Sequence, residues 1–405
     1  MKAPRLEVAD VVRQYGSAYL ARYGKATFSQ QRRVLRDLAL CRTAALGGHV
    51  RRCDHCGHTD ICHDSCRNRH CPKCQAAARA EWMEARAQDL LETVEYYHAV
   101  FTLPDELAPV ALQNKQVVYN LLFRSVSETL LTLVRDPKRL GAEIGFLAIL
   151  HTWGQTLLHH PHIHCVIPGG GLSPDGGRWI PCPNGFFLPV RVLSSLFQKK
   201  FLSHLKEAAD QGAISFHGEI KHLANETCWR RFLDSLYNQK WVVYAKPPFG
   251  GARQVLKYLA RYTHRVAISN QRLLSLQDGN VRFQWKDYRN GPKQRTMTLD
   301  AVEFLRRFLL HVFPKRFVHI RYYGFLCNRK RKKKIALCRK LLGLPEQPSL
   351  SSPGTSGEEI DEAEANESAR LCPVCKKGHM VELDPLPRDT TEALKLLSFL
   401  VYDTR

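Results

Sequence analysis

The sequence predicts an α+β fold, with an antiparallel sheet flanked by helices and a small cysteine-rich unit on its N-terminal side. Strand-like segments and longer segments with helical spacing of apolar residues are mixed, without the alternating rhythm of a parallel sheet. Cysteines and histidines concentrate in residues 49–80, which sets this region apart from the rest. A chain of 405 residues has room for two or three such units.

The predicted elements follow from these patterns in chain order. Apolar residues at helical spacing, such as Val8, Val11 and Val12, predict helices across residues 6–46. Further helices are expected at 75–95, 106–134, 189–211, 225–239, 251–264, 300–312 and 325–343. Strands are expected at 96–103, 143–151, 162–168 and 241–245, with a hairpin of 266–276 and 280–288 that turns at Asp278-Gly279-Asn280. Residues 169–185 form a loop rich in glycine and proline, and 345–368 a disordered linker.

The charge balance indicates a nucleic acid as partner. Lys and Arg number 60 against 38 Asp and Glu, a net charge of +22, and such an excess favours binding to phosphate backbones. The alternative is a solvated cationic surface. The chain has neither a signal-peptide core nor an apolar run of the roughly 20 residues that span a bilayer. We therefore expect a cytoplasmic, nucleoid-associated protein without a membrane partner, whose 14 cysteines are metal ligands rather than disulfides.

Two Cys-x-x-Cys pairs lie in the cysteine-rich region. Cys53, Cys56, Cys71 and Cys74 have the ligand type and spacing of a structural Zn²⁺ site. His58, Cys62, His63, Cys66 and His70 lie between the pairs and leave a second ion or alternative ligands open. Arg67 and Arg69 lie among them and suit phosphate contacts. Near the C-terminus, Cys372 and Cys375 with His379 form half of such a site, which Cys338 could complete.

Three histidines lie on two predicted strands. Side chains alternate in a strand, so His162 and His164 point to one face and Ile163 to the other. His151 ends the preceding predicted strand. If these strands are neighbours, three imidazoles converge on one cation with positions left open, as in a catalytic rather than a structural site. The alternative is a chance pair of unrelated histidines.

Two tyrosines lie four residues apart in the predicted helix 251–264. Tyr258 and Tyr262 would present their hydroxyls on one helix face, flanked by the cations Lys257 and Arg261. A tyrosine can attack a phosphodiester when its phenol loses its proton. The alternative is core packing, because Val255 and both tyrosines also fit an apolar helical stripe.

Taken together, these segments resemble the HUH (His-hydrophobe-His) single-strand endonucleases. They are most similar to the two-tyrosine rolling-circle transposases of bacterial insertion sequences, the IS91 type. The matching segments are Ser65–Gln75, Val100–Pro104, Leu150–Thr152, His160–His164, Tyr258–Arg265 and Arg321–Phe325, in the family's order and within roughly residues 10–345. The resemblance implies a zinc-binding DNA-binding domain at 1–95 and an HUH nuclease domain at 96–345. It does not extend to 346–405, where the composition predicts a disordered acidic linker and a short Cys-x-x-Cys tail.

The resemblance also implies a mechanism. His151, His162 and His164 would hold Mg²⁺ or Mn²⁺, although three imidazoles by themselves suit Zn²⁺ better. Tyr258 or Tyr262 would attack single-stranded DNA at an element end and form a 5′-phosphotyrosine. The basic run Arg329, Lys330, Arg331, Lys332, Lys333 and Lys334 would contact the DNA backbone beside the aromatic Tyr322 and Tyr323, unless it is a solvated helix face. Two other functions are a plasmid replication initiator or relaxase with the same chemistry, and a non-catalytic zinc-dependent DNA-binding regulator.

Overall fold

A computed structural model describes residues 6–75, 86, 89–183, 185, 187–246, 254–255, 266–287, 293–345 and 371–400. Its helices are α1 (Val8–Tyr23), α2 (Ser29–Leu40), α3 (Ala108–Gln113), α4 (Lys115–Arg135), α5 (Val190–Asp210), α6 (Glu226–Asn238), α7 (Ala301–Leu310), α8 (Arg331–Leu341) and α9 (Thr390–Leu397). Its strands are β1 (Gly48–Cys53), β2 (Thr59–His63), β3 (Tyr96–Thr102), β4 (Gly145–Trp153), β5 (His159–Pro168), β6 (Gly170–Leu172), β7 (Trp179–Pro181), β8 (Val243–Lys246), β9 (Leu273–Gln277), β10 (Asn280–Asp287), β11 (Lys293–Asp300), β12 (Ile320–Gly324) and β13 (Met380–Leu386).

The centre of the fold is a five-stranded sheet in the order β12-β4-β5-β3-β8. Every neighbouring pair in it is antiparallel, so the predicted α+β class is confirmed. One face of the sheet carries buried side chains such as Phe101, Ile163 and Cys165, which pack against the apolar sides of α4, α5 and α6. This large core fixes the register of the strands, because a slip by one residue would turn every side chain to the opposite face.

The opposite face of the same sheet carries the histidines. Its apolar part consists of Leu147, Ile149, Val166 and Tyr96, which form a smaller buried cluster. Residues two apart on a strand share a face, so His151 continues the row of Leu147 and Ile149 along β4. This face is therefore apolar around Leu147 and Ile149 and polar at the end that carries His151.

A second large core joins distant parts of the chain. It contains Val12 of α1, Leu35 of α2, Phe304 of α7 and Phe283 of the sheet β11-β10-β9, together with Phe399 near the C-terminus. Gly16 of α1 is required at this contact, because a Cβ atom there would lie 2.9 Å from the Phe399 ring. The N-terminal helices and the segment around Phe399 are thus packed in one core.

The C-terminal segment corrects the expectation of a short tail. Strand β13 pairs with β1 and completes the sheet β13-β1-β2, and the amide of Asp389 donates to the Ala44 carbonyl at 2.9 Å. The predicted linker 345–368 lies almost wholly outside the described residues, which leave out 346–370. Residues 371–400 are therefore an integral part of the N-terminal unit.

Other differences from the predicted elements have local causes. The predicted loop 169–185 contains the short hairpin β6–β7. The predicted hairpin has a third strand, β11, which begins with four exposed polar residues and has only Met297 and Leu299 as an apolar alternation. Strand β12 was not among the predicted strands, and it is only five residues long. Most of the predicted helix 75–95 lies outside the described residues.

Helix α4 is long and apolar enough to cross a membrane by length and composition. The sequence prediction that no segment approaches this limit is therefore too strong. In the fold, 61% of its most apolar window is buried inside the protein, where Val118, Leu122 and Phe123 join the large core. Burial of this kind is typical of the core helix of a globular domain.

Candidate active site and metal centres

Three histidines converge at one end of the central sheet. Strands β4 and β5 are antiparallel neighbours, and His151 lies directly opposite His162. His164 follows on the same face of β5, so one nitrogen of each of the three imidazoles lies within 4.8 Å of the others. The described residues thus bring the three predicted ligands together in a geometry that can hold one metal ion.

Hydrogen bonds determine which ring nitrogen His162 and His164 present to the metal site. Nδ1 of His162 lies 2.7 Å from the carbonyl oxygen of His160. A carbonyl only accepts, so His162 carries its hydrogen on Nδ1 and its lone pair on Nε2. Nδ1 of His164 lies 2.8 Å from Nε2 of His98, and His164 has the same tautomer when it is the donor of this hydrogen bond. Such outer hydrogen bonds orient metal-binding imidazoles.

His98 is the functional candidate that sequence reasoning missed. It lies on β3, next to β5 and opposite Val166, and its ring is nearly coplanar with that of His164, edge to edge, with centroids 5.1 Å apart. Only 3% of the residue is exposed. The available signal was a histidine in the middle of an otherwise apolar strand, a position at which a polar group needs a partner.

The histidine site opens to solvent on one side. His151 and His164 are buried, whereas His162 is half-buried. Trp153 stacks on His151 with ring centroids 4.7 Å apart and closes the side towards the second core. A ligand would therefore approach past His162.

Nearby histidines have structural partners instead. His311 donates from Nε2 to the Leu157 carbonyl at 3.1 Å and accepts at Nδ1 from the Thr152 hydroxyl at 3.2 Å. Burial lowers the pKa of His311 to about 3, so this imidazole is neutral at physiological pH. Nε2 of His159 lies 2.8 Å from the Tyr119 hydroxyl, and burial lowers the pKa of His159 as well. These rings support the strands that carry the site.

The predicted tyrosine helix is described only at Gln254 and Val255. Val255 is helical and fully buried, and it packs in the cluster of Leu147, Ile149 and Val166 on the histidine face. The predicted site residues Tyr258, Tyr262, Lys257 and Arg261 lie outside the described residues.

The four cysteines predicted to share one zinc site are divided between two clusters. Cys71 and Cys74 lie with Cys66 and Cys41, and neighbouring sulfurs in this group are 3.6 Å apart. Cys53 and Cys56 lie with Cys372 and Cys375. The prediction of one site made of 53, 56, 71 and 74 is therefore wrong, and so is the suggestion that Cys338 completes the C-terminal pair. Four thiolates at such spacing are a typical Zn²⁺ ligand set.

Cys41 was not predicted as a ligand because it stands alone in the sequence. It lies directly after α2, where the helix ends, and the fold brings it to the turn that carries Cys66 and Cys71. The first cluster is thus built from one stretch of chain, residues 41–74.

The predicted DNA-contacting arginines near the cysteines differ in their surroundings. Arg67 is exposed, as a phosphate contact requires. The guanidinium of Arg69 instead donates to the carbonyls of Phe317 and Pro314 at 2.6 and 3.0 Å and lies over the Phe313 ring. Arg69 therefore connects the N-terminal unit to the segment before β12, which corrects its expected role in DNA contact.

The basic run is partly engaged within the protein. Arg329 and Lys330 precede helix α8 and are exposed, as are Lys332 and Lys333. Lys334 is paired with Glu143 at 3.0 Å. The guanidinium of Arg331 lies 5.2 Å from the centre of the Tyr322 ring. Four of the six predicted residues thus present their charge to solvent.

Tyr322 and Tyr323 point to opposite faces of β12. Tyr323 stacks on Phe146 on the core side, so it is not available to stack on DNA bases. Tyr322 lies opposite Leu147 on the histidine face, with the guanidinium of Arg86 5.9 Å from its ring centre. A positively charged edge therefore borders the face that carries the histidines.

Comparisons with known proteins agree on one class. Residues 145–334 match a family model described as "Putative transposase", and residues 11–103 match the IS91 "Transposase zinc-binding domain". The chain is 55% identical over 380 residues to "Putative transposase y4qJ" of Sinorhizobium fredii. This alignment covers 93% of the chain and 95% of the relative. It is 28% identical over 295 residues to "Transposase for insertion sequence element IS801" of Pseudomonas savastanoi pv. phaseolicola, covering 71% of the chain and 68% of the relative. No solved structure matches the chain.

Proposed function

Because the chain belongs to the IS91-type transposase family, whose members act on DNA, we propose that it cleaves and transfers one DNA strand through Tyr258 or Tyr262. The cleavage would occur on single-stranded ends of the element, at a divalent cation held by the three histidines. The observation that carries this proposal is the convergence of His151, His162 and His164 on the sheet face where Val255 is buried.

Val255 supports the placement of the tyrosines. Residues three and seven positions apart on a helix share a face. If the predicted helix continues to residue 262, Tyr258 and Tyr262 lie on the side of Val255, which packs against the histidine face. Their hydroxyls would then face the imidazoles across the space that a phosphate occupies.

The donor set fits a divalent cation. Three imidazole nitrogens, two of them on rings oriented by outer hydrogen bonds, leave further positions for phosphate oxygens, and we propose Mg²⁺ or Mn²⁺ there. When bound, the cation supplies charge neutralisation at the scissile phosphate. Imidazole donors also suit Zn²⁺, so the three metals are to be compared directly. The cluster of Cys41, Cys66, Cys71 and Cys74 would hold a separate, structural Zn²⁺.

The chemical step needs neither water nor ATP. The phenol oxygen of one tyrosine bonds to phosphorus while the bond from phosphorus to the 3′ oxygen breaks. The phenol loses its proton and the 3′ oxygen leaves as a hydroxyl, so one phosphodiester is exchanged for a 5′-phosphotyrosine. The 3′ hydroxyl of another strand can reverse the exchange and complete the transfer.

The charged edge of the sheet supports a path for the DNA strand. Arg329, Lys330, Lys332 and Lys333 are exposed, and Arg331 of the same run lies beside Tyr322, which shares its sheet face with the histidines. Phosphate contacts from such side chains guide a strand without reading its sequence. The exposed Arg67 would contact DNA from the N-terminal unit. A protein of this kind works in the cytoplasm at the nucleoid.

The direct test uses a labelled single-stranded oligonucleotide that carries an end of the protein's own element. We expect a protein–DNA adduct that survives denaturation, forms with Mg²⁺ or Mn²⁺ and is absent in EDTA. The same sequence as a duplex should give at least about tenfold less adduct, because paired bases hold the strand out of reach. Binding without cleavage under all metal conditions would contradict the proposal and favour a regulator.

His98 is expected to strengthen metal binding through His164. Replacing His98 with Phe removes the acceptor for His164 Nδ1 and should weaken Mn²⁺ binding about 10- to 100-fold. Titration of the zinc-loaded protein followed by electron paramagnetic resonance measures this affinity, and His98→Gln, which keeps an acceptor, should restore part of it.

His160→Ala is the matched control for the His98 variants. The His160 side chain is half-exposed and pairs with Asp105, its ring centre lies 5.5 Å from that of His162, and its backbone carbonyl, which the substitution keeps, accepts from His162. Its Mn²⁺ affinity should therefore equal that of the unchanged protein. An equal affinity in folded His98→Phe would show that this contact does not support the site.

A further inference from the structure

The second cysteine cluster combines two segments far apart in the sequence, one with Cys53 and Cys56 and one with Cys372 and Cys375. Sγ of Cys53 lies 3.6 Å from Sγ of Cys375, and Sγ of Cys56 lies 3.6 Å from Sγ of Cys372. All four lie within 4.8 Å of one another. The matched family segments, 11–103 and 145–334, include the first pair but not the second.

The sulfur separations fit a tetrahedral metal site rather than disulfides. Four thiolates at about 2.3 Å from one zinc ion are separated from each other by about 3.8 Å. A disulfide would bring two sulfurs to about 2.05 Å. The separations of 3.6 Å therefore correspond to the edges of a tetrahedron.

Backbone amides are arranged to stabilise the thiolates. The amides of His55 and Cys56 donate to Sγ of Cys53 at 3.4 Å, and the amide of Gly378 donates to Sγ of Cys375 at 3.4 Å. Hydrogen bonds to the charged form of a group favour that form. Both halves of the cluster thus have the tight turns that present pairs of thiolates to one ion.

The backbone around the cluster is closely fitted. A Cβ atom at Gly378 would lie 2.4 Å from the Asp54 carboxylate and 2.6 Å from Sγ of Cys53. The amide of Asp54 donates to the His379 carbonyl at 3.0 Å, and the amide of His379 donates to the Asp54 carboxylate at 2.8 Å. The two chain segments are therefore in direct contact at the cluster.

We propose that Cys53, Cys56, Cys372 and Cys375 bind a second Zn²⁺, which holds the C-terminal segment 371–400 in the N-terminal unit. Through this ion, β13 becomes the third strand of the sheet beside β1, and Phe399 reaches the core against α1. The sheet and the core of the N-terminal unit are thus complete only when segment 371–400 is bound. The ion restricts ligands more than 300 residues apart in sequence, so it opposes the entropy of a very long loop.

Zinc content of the full-length protein tests this site. We expect two zinc ions per chain by plasma mass spectrometry in the unchanged protein, and one in both Cys372→Ser/Cys375→Ser and Cys53→Ser/Cys56→Ser. Combining the four substitutions should still leave one, because each pair is needed for the same ion. Cys228→Ser is the control, since this half-exposed cysteine of α6 belongs to neither cluster.

An unchanged zinc content in either double variant, or only one zinc ion in the unchanged protein, would overturn the proposal. X-ray absorption at the zinc edge tests it without any variant, with sulfur alone as ligand at about 2.3 Å for both ions. Amide exchange in residues 380–400 should also become at least about tenfold faster in Cys372→Ser/Cys375→Ser, because the segment loses its attachment. Unchanged exchange there would show that the segment docks without the ion.

Discussion

Replacing Tyr258 and Tyr262 together with phenylalanine is expected to abolish the covalent protein–DNA adduct. Phenylalanine keeps the ring and its packing but removes the only atom that can bond to phosphorus. Loss of a covalent nucleophile typically costs more than about 10³-fold in rate. The adduct, measured after denaturation on the element-end oligonucleotide, should fall below detection while DNA binding stays within about twofold of the original value, since phosphate contacts supply the affinity.

The single variants Tyr258→Phe and Tyr262→Phe separate the roles of the two hydroxyls. One tyrosine attacks first, so one of them should remove most of the initial adduct. The other should retain cleavage but lose transfer to a second strand. Tyr237→Phe is a matched control, because this tyrosine is exposed on α6 at the far side of the sheet. An adduct that persists in the double variant would exclude these tyrosines as nucleophiles.

Replacing His162 and His164 with alanine is the second change with a large expected effect. Both imidazoles lie on one face of β5, and their loss leaves His151 as the only predicted ligand in the described part of the site. A single imidazole binds divalent cations weakly, and charge neutralisation at a scissile phosphate is worth several kcal/mol. We expect adduct formation to slow by at least about 10³-fold and not to recover at high Mn²⁺.

The controls for the histidine change address folding and specificity. His160→Ala lies on the same strand but outside the cluster, and it should keep the full rate. Zinc content should stay unchanged in His162→Ala/His164→Ala, because the cysteine clusters are separate from the histidines. If this variant forms adduct at the original rate with the same dependence on metal, the three histidines do not hold the catalytic ion.

The histidine cluster could be predicted because it depends on local periodicity. Two residues on one side of a single strand need only the alternation of side chains, and His151 needs only that consecutive strands be neighbours. His98 escaped prediction because β3 joins β5 across a chain separation of more than sixty residues. No local pattern indicates that this strand, rather than another, lies beside His164.

The cysteine sites show what local spacing cannot predict. Each Cys-x-x-Cys pair was recognised from its spacing, but the partner of each pair was not. Cys53 and Cys56 take their partners from beyond residue 370, and Cys71 and Cys74 take Cys41 and Cys66 from nearby. Spacing defines a turn that presents two thiolates, whereas the fold decides which two turns meet.

The charged residues illustrate why a count of basic residues overestimates the surface that can bind DNA. Arg69 lies in a basic, motif-rich segment, yet its guanidinium donates to two backbone carbonyls inside the protein. An arginine whose donors bond backbone carbonyls in this way does not present them to a phosphate. Its sequence neighbour Arg67 is exposed, and nothing in the order of residues distinguishes the two.

The proposed chemistry requires that a phenol at position 258 or 262 reach a phosphate held beside the imidazoles of β4 and β5. Digestion of the denatured adduct followed by tandem mass spectrometry locates the DNA on the protein most directly. We predict a 5′-linked nucleotide on Tyr258 or Tyr262, formed with Mg²⁺ or Mn²⁺ and absent from His162→Ala/His164→Ala. A nucleotide on any other residue, or the same adduct in EDTA, would show that these tyrosines and the metal site do not carry out the cleavage.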